Sequence, residues 1–173
     1  MSDPRFCPQC STPLVTRHEA GRDRLACPTD GCDYVFWDNP LPVVAAVLEH
    51  DGHVILVRNH GWPDDWFGLV TGFLERGESA QEGVLREIQE EVGLTGQVAG
   101  LIGVYPFHRM NQVIIAFHVI AQGEVVLGDE IAAFRRVPID RLRPWASATG
   151  EALRDWLQRQ KQGVGTDRGT ATD

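Results

Sequence analysis

Three things are scarce in this chain: positive charge, long apolar runs, and cysteine outside one short segment. Lysine and arginine number 16 against 24 aspartates and glutamates, a formal net charge of −8 with a pI near 5.2. That balance argues against a protein whose main affinity comes from neutralising nucleic-acid phosphates or an anionic membrane. The longest apolar runs, near 42–48 and 113–121, fall short of the roughly 20 residues a bilayer span needs, and no apolar signal core follows MSDPRFCPQC. A soluble cytoplasmic protein with no membrane partner is the expectation. No internal repeat is visible. What remains, 173 residues with 43% hydrophobic and 23% charged, is ordinary globular composition, long enough for one compact core and a small appendage.

All four cysteines fall in the first 32 residues: Cys7, Cys10, Cys27 and Cys32. The pattern is C-x2-C, a 16-residue spacer, then C-x4-C. Two close pairs of this kind suit a tetrahedral four-cysteine zinc site better than disulfides. Pro8, Pro28 and Gly31 help the chain bend around an ion. Residues 1–38 carry four Arg and six Asp or Glu, whereas a ribbon that binds nucleic acid is usually basic. The zinc is therefore expected to be structural, holding a segment too small to bury a core of its own. Asp38-Asn39-Pro40 reads as a joint, which gives a zinc ribbon over 1–38 and a second domain over 39–161.

In that second domain, apolar runs at 43–48 and 53–58 flank an Asp51-Gly52 turn, the signal of a tight hairpin. A loop rich in Trp, Pro and Asp follows at 61–65, then strand candidates at 66–70, 98–105, 113–121 and 134–137. The run at 113–121 is apolar enough to be buried on both faces. A helix is expected over 151–160, with Leu153, Trp156 and Leu157 on one face and a cap at Thr149. The tail 162–173 has almost no apolar content and is expected to be disordered. Many strands with two helices imply an α+β fold, a mixed sheet covered by helices.

Residues 72–94 read GFLERGESAQEGVLREIQEEVGL. Ser79 with Glu82 three positions on is a capping-box signature, so a helix should begin near Ser79 or Ala80, and Gly93 should stop it. Ala80, Val84, Leu85, Ile88 and Val92 fall on one apolar face, and Glu87, Glu90 and Glu91 share an arc of about 100° at its edge. Like charges at these spacings repel by roughly 0.2–0.5 kcal/mol per exposed pair. Partly buried, two carboxylates about 6 Å apart repel by about 3 kcal/mol at an effective dielectric near 20. A divalent cation such as Mg²⁺ or Mn²⁺ removes that cost; a solvated acidic face is the other reading of the same residues.

This segment resembles the Nudix box, G-x5-E-x7-R-E-U-x-E-E-x-G-U with U aliphatic: Gly72, Glu78, Arg86, Glu87, Ile88, Glu90, Glu91, Gly93 and Leu94 fill every fixed position. The resemblance implies the Nudix α/β/α sandwich over 39–161, a mixed sheet between helices, and hydrolysis of a nucleoside diphosphate linked to another group. It also implies roles. Glu87 and Glu91 look like direct ligands of Mg²⁺ or Mn²⁺, with Glu90 joining them or binding through water. The Gly72 carbonyl would complete the site, and Glu78 would orient Arg86. Glu130 corresponds to a glutamate that approaches the metals in similar enzymes, so the general base stays open between Glu90, Glu91 and Glu130.

A four-cysteine ribbon before a Nudix domain resembles the bacterial NADH pyrophosphatases, although this chain is expected to lack their further N-terminal domain. Where that group carries S-Q-P-W-P-F-P-x-S, residues 104–112 here read VYPFHRMNQ, keeping a proline and an aromatic. The expected substrate is thus a small nucleotide of the NADH, ADP-ribose or FAD type, cut to release a nucleoside monophosphate. Tyr105 and Phe107 are placed either to stack on its base or to pack in the core. His108 and Arg109 can meet phosphate or ribose oxygens, and Trp62 is a further stacking candidate. Trp66 is expected in the core, Phe73 in either place, and His53 and His60 at the surface. Two other functions compete: removal of nucleotide caps from RNA, which the acidic ribbon disfavours, and non-catalytic nucleotide sensing, which the complete set of glutamates disfavours. Related enzymes often form homodimers.

Overall fold

The computed structural model describes residues 3–165, the side chains of 163–165 apart. The chain packs as two compact units, Met1–Asn39 and Pro40–Asp173. In the first, β1 (Val15–Glu19) and β2 (Arg22–Ala26) form an antiparallel hairpin whose turn holds Ala20 and Gly21 at positive φ, and β3 (Val35–Phe36) pairs with the other side of β2. These three short strands carry no apolar periodicity that marks them in the sequence.

The second unit is a six-stranded mixed sheet with one helix on each face. Its elements are β4 (Leu41–His50), β5 (His53–Asn59), β6 (Val70–Phe73), α1 (Ala80–Val92), β7 (Thr95–Phe107), β8 (Gln112–Gln122), β9 (Ile131–Pro138) and α2 (Ala148–Gly165). The strand order is β7-β8-β4-β5-β9, with β6 also pairing β4; only β4 and β8 run parallel. Strand β4 is central, and its side chains serve two cores. Val43, Ala45 and Val47 pack toward Ala152, Leu153 and Trp156 of α2, while Val44, Ala46 and Leu48 pack toward Val84, Ile88 and Val92 of α1. An unbroken apolar run in place of strict alternation is the consequence of burial on both faces. Strand β8 shows the same pattern, with Ile114 and Ala116 in one core and Phe117 and Val119 in the other.

Asp51 and Gly52 both take positive φ, 49° and 71°, and close the β4–β5 hairpin as the sequence expects. The third strand lies elsewhere than expected. Residues 66–69 form only an isolated bridge from Gly68 to Val57, and regular pairing begins at Val70. Trp66, expected in the core, is 62% exposed, because the chain there is still a loop and its ring has no sheet face to lie on. Helix α2 starts at Ala148, so Thr149 lies in its first turn, where its hydroxyl accepts a hydrogen bond from Trp145 Nε1. It continues to Gly165, into the start of the segment expected to be disordered; the rest of that tail, 166–173, lies outside the described residues. Among the described residues no helix is long and apolar enough to cross a membrane.

Candidate active site

Helix α1 is fixed at both ends. Ser79 Oγ accepts from the Glu82 N–H while Glu82 Oε2 accepts from the Ser79 N–H at 2.8 Å, and Gly93 ends the helix in the left-handed region at φ 68°. Val84, Ile88 and Val92 are buried to within 1% exposure. Burial on this scale stabilises by roughly 1.5–3 kcal/mol per side chain, well above the few tenths by which each exposed like-charge pair opposes it. Packing therefore dictates which face turns inward, and the glutamates are carried to the edge of the sheet with it. They end in different surroundings. Glu91 is buried, 6% exposed; Glu87 is nearly buried; Glu90 stands more than half in solvent.

Arg86 ties this edge together. Its guanidinium donates to both oxygens of Glu78 at 3.0 and 2.9 Å, to Glu87 Oε1 at 2.8 Å, to Glu90 Oε2 at 2.9 Å and to the Phe73 carbonyl at 3.0 Å. The Arg86 hydrogen bonds, helped by the Glu75 N–H, hold the Glu78 carboxyl down to about 2, and the same contacts push the guanidinium further toward its charged form. Glu78 thus grips the Arg86 guanidinium through two hydrogen bonds.

The remaining carboxylates surround a cavity of about 530 Å³ lined by Thr71, Gly72, Arg86, Glu87, Glu90, Glu91, Gln112, Asp129 and Glu130 among others. Burial, and then repulsion from Glu87 and Glu130, pushes the Glu91 carboxyl up to about 8, the Thr71 N–H offsetting only part of this. Burial raises Glu87 as well, with Arg86 opposing. Glu91 Oε2 is buried and has no hydrogen-bond partner, a costly state for a carboxylate oxygen. Gly72 and Glu87 approach closely: a Cβ at 72 would lie 1.8 Å from the Glu87 carboxylate and push it out of its present position. A partnerless buried oxygen among hard carboxylate donors, with Gly72 close beside them, fits one or more small divalent cations. Asp129 and Glu75 also line this cavity and were not singled out from the sequence; the run Gly128-Asp129-Glu130 was the only signal for the first.

A second cavity, about 1030 Å³, shares Val43, Thr71 and Gln112 with the acidic one, so the two adjoin. Trp62, Phe107 and Arg109 line it, together with Trp66, Phe67 and Trp145. Tyr105 does not line it. Its side chain is buried in the α2 core and its hydroxyl donates to Asp155 Oδ2 at 2.8 Å, whereas Phe107, two positions on and on the same side of β7, packs against that core from the end of the strand. His108 is not among the lining residues, Phe73 is exposed at the acidic cavity, His60 is exposed, and His53 is half-buried with Nδ1 2.9 Å from the Asp51 carbonyl oxygen.

In the first unit the four cysteine sulfurs lie within 4.8 Å of one another, with Cys7 to Cys32 at 3.7 Å and Cys10 to Cys27 at 3.4 Å. Zinc–sulfur bonds of about 2.3 Å in a tetrahedron set sulfurs about 3.8 Å apart, so the cluster has the dimensions of a metal site. Ser11 and Gly31, at φ 60° and 79°, supply the bends beside Cys10 and Cys32. The four thiols perturb one another in opposite directions: hydrogen bonds from Thr12 lower Cys10, whereas Cys32, opposed by a Tyr34 main-chain hydrogen bond, is raised by burial and the other three sulfurs.

Residues 39–159 match the model of the NUDIX domain. The chain is 30% identical over 132 residues to an ADP-ribose pyrophosphatase of Methanocaldococcus jannaschii, covering 72% of this chain and 78% of that protein. It is 40% identical over 73 residues to an NAD-capped RNA hydrolase of Mycobacterium bovis, a match over 41% of this chain that spans only 23% of the mycobacterial protein. Among solved structures, a NUDIX hydrolase from Nitrosomonas europaea superposes with a TM-score of 0.78 at 24% identity, over 92% of this chain and 94% of that one. With the helix, the glutamates and the sheet arranged as described, the chain belongs to the NUDIX family.

Proposed function

We propose that this protein is a divalent-metal-dependent pyrophosphohydrolase that cuts a nucleoside diphosphate linked to a second group, of the ADP-ribose, NADH or FAD type, and releases a nucleoside monophosphate. The observation that carries this reading is that the two cavities adjoin: partly buried carboxylates line one, and aromatic rings line the other. A diphosphate and the nucleoside attached to it need that pair of environments side by side. The names borne by the archaeal and mycobacterial relatives support the same substrate class.

Enzymes of this family use divalent metals. Here Glu87 and Glu91, with Glu90 and the Gly72 main chain, would hold Mg²⁺ or Mn²⁺, which when bound supplies charge neutralisation for the diphosphate and acidifies water. The chain's own residues do the rest. Arg86, charged and held by Glu78, fixes Glu87 and Glu90 in place. Glu90, Glu91 and Glu130 are the carboxylates in the cavity that can accept the proton of the attacking water. Trp62 and Phe107 give the base an apolar surface, and Arg109 offers a cation to phosphate or ribose oxygens. For the four thiols we propose a structural Zn²⁺.

The test is a panel of ADP-ribose, NADH, NAD⁺, FAD, diadenosine polyphosphates and nucleoside triphosphates with Mg²⁺ or Mn²⁺, reading nucleoside monophosphate release. Glu91→Gln should lose about a hundredfold or more in kcat, the loss expected when a group that stabilises transition-state charge is removed. Near-normal turnover in that variant would remove Glu91 from the metal shell. The mycobacterial relative's name favours NAD-capped RNA as a second substrate to include. Salt-sensitive cleavage of it would assign the ribbon an RNA contact, against the acidic balance of residues 1–38.

A further inference from the structure

Glu130 lies on the connection between β8, which ends at Gln122, and β9, which begins at Ile131 opposite Asn59, so strand pairing holds Glu130 from its C-terminal side only and leaves the rest of the connection unpaired. The connection is instead strapped to the end of α1. The Val126 N–H donates to the Val92 carbonyl and the Gly128 N–H to the Glu91 carbonyl, both at 3.0 Å. These are last-turn carbonyls, which have no partner within the helix. Glu91 therefore offers its side chain to the cavity and its main-chain oxygen to the strap. From there a single turn delivers Glu130: the Ile131 N–H donates to the Gly128 carbonyl at 3.1 Å, with Asp129 and Glu130 at its centre, and the Glu130 carbonyl accepts from the His60 N–H at 3.0 Å. At the other end, His50 Nε2 lies 2.9 Å from the Gly123 carbonyl oxygen.

Contact this close needs a residue without a side chain. A Cβ on Gly128 would lie 2.0 Å from the Glu90 carbonyl oxygen and 3.1 Å from its carbon. These are main-chain atoms inside a packed helix and cannot move aside. Resting on the functional reading above, we infer that Gly128 is a positioning residue, which by seating the strap against Glu90 and Glu91 sets Glu130 into the group of carboxylates that holds the metal. Any side chain at 128 lifts the strap off the helix and carries Asp129 and Glu130 with it.

The test compares Gly128→Ala, Glu130→Gln and the double variant by Mn²⁺ binding, read from the paramagnetic resonance of free Mn²⁺, and by kcat and KM on ADP-ribose. A variant with one glycine inserted between Asp129 and Glu130 displaces the glutamate while leaving the helix contact intact, and decides the matter if Gly128→Ala does not fold. In either variant Mn²⁺ binding should weaken about tenfold and kcat fall about tenfold or more, with KM within about threefold. In the Glu130→Gln background the same change should cost less than about twofold further, because residues acting as one unit are not additive. Gly100→Ala, where a Cβ meets open space, should leave both readouts unchanged. Equal losses in both backgrounds would show a purely structural glycine, and unchanged binding and kcat in Gly128→Ala or the insertion would equally overturn the inference. Wild-type protein that binds Mn²⁺ but cleaves nothing in the panel would sink the functional reading alone; one that binds no Mn²⁺ would sink both.

Discussion

Glu91 stores a conflict that can be read as a pH dependence. Its carboxyl, raised from an ordinary 4.5 to about 8 by burial and neighbouring acids, keeps its proton in the folded state over a range where the unfolded chain has lost it. The unfolded state then binds fewer protons, so the stability of metal-free protein should fall as pH rises from about 4.5 to 8, by up to about 1.4 kcal/mol per pH unit. Glu91→Gln, which carries no charge, should melt above wild type near pH 8 and level with it near pH 5. Saturating Mn²⁺ should reverse the slope, because the ion binds the deprotonated form. Thermal unfolding across this window, with and without metal, checks each point; a flat profile without metal would mean that Glu91 is not desolvated. The sequence placed Glu87, Glu90 and Glu91 on one arc but could not rank them. Which of the three is buried depends on the strands that happen to face each one.

The elements most legible in the sequence were those specified by local chemistry. Ser79, Glu82 and Gly93 bound α1 at the expected residues, since a cap is a contact between neighbours in sequence. Ser79→Ala should therefore destabilise by about 1 kcal/mol, a fall in Tm of about 2–4 °C. It should change kcat little, because the capping box lies at the opposite end of the helix from Glu90 and Glu91; urea titration and steady-state assays would check the two halves. Elements fixed by long-range pairing were less legible. Strand β6 begins four residues later than its composition suggests, because its register is set by Val43–Ala46 of β4 rather than by its own residues. Tyr105 and Phe107 read alike in the sequence, yet one is in the core with its hydroxyl on Asp155 and the other lines the larger cavity.

For the whole molecule, two compact units imply two sources of stability. The Pro40–Asp173 unit has two apolar cores, one on each face of its sheet. Among the described core residues, Met1–Asn39 buries only Cys7, Ala26 and Cys27, too little to offset the ordering of its backbone without a metal. A strong thiol-competing chelator should release about one zinc per chain and abolish amide-exchange protection in β1 and β2 while leaving that of β4 and β8 intact. Cys27→Ser should likewise lower solubility more than it alters the chemical step. Purified protein holding iron or no metal would sink the zinc assignment. By itself the sequence determined whatever depends on neighbours along the chain: the cap and stop of α1, the Asp51-Gly52 hairpin, the crowding of acids on one helical edge and the paired spacing of the cysteines. Tertiary structure alone decided which glutamate is buried, where Trp66 and Tyr105 point, and how Glu130 comes to stand beside Glu91. Those outcomes rest on strand register and on one backbone pressed against another, and such contacts leave no periodicity for a single segment to display.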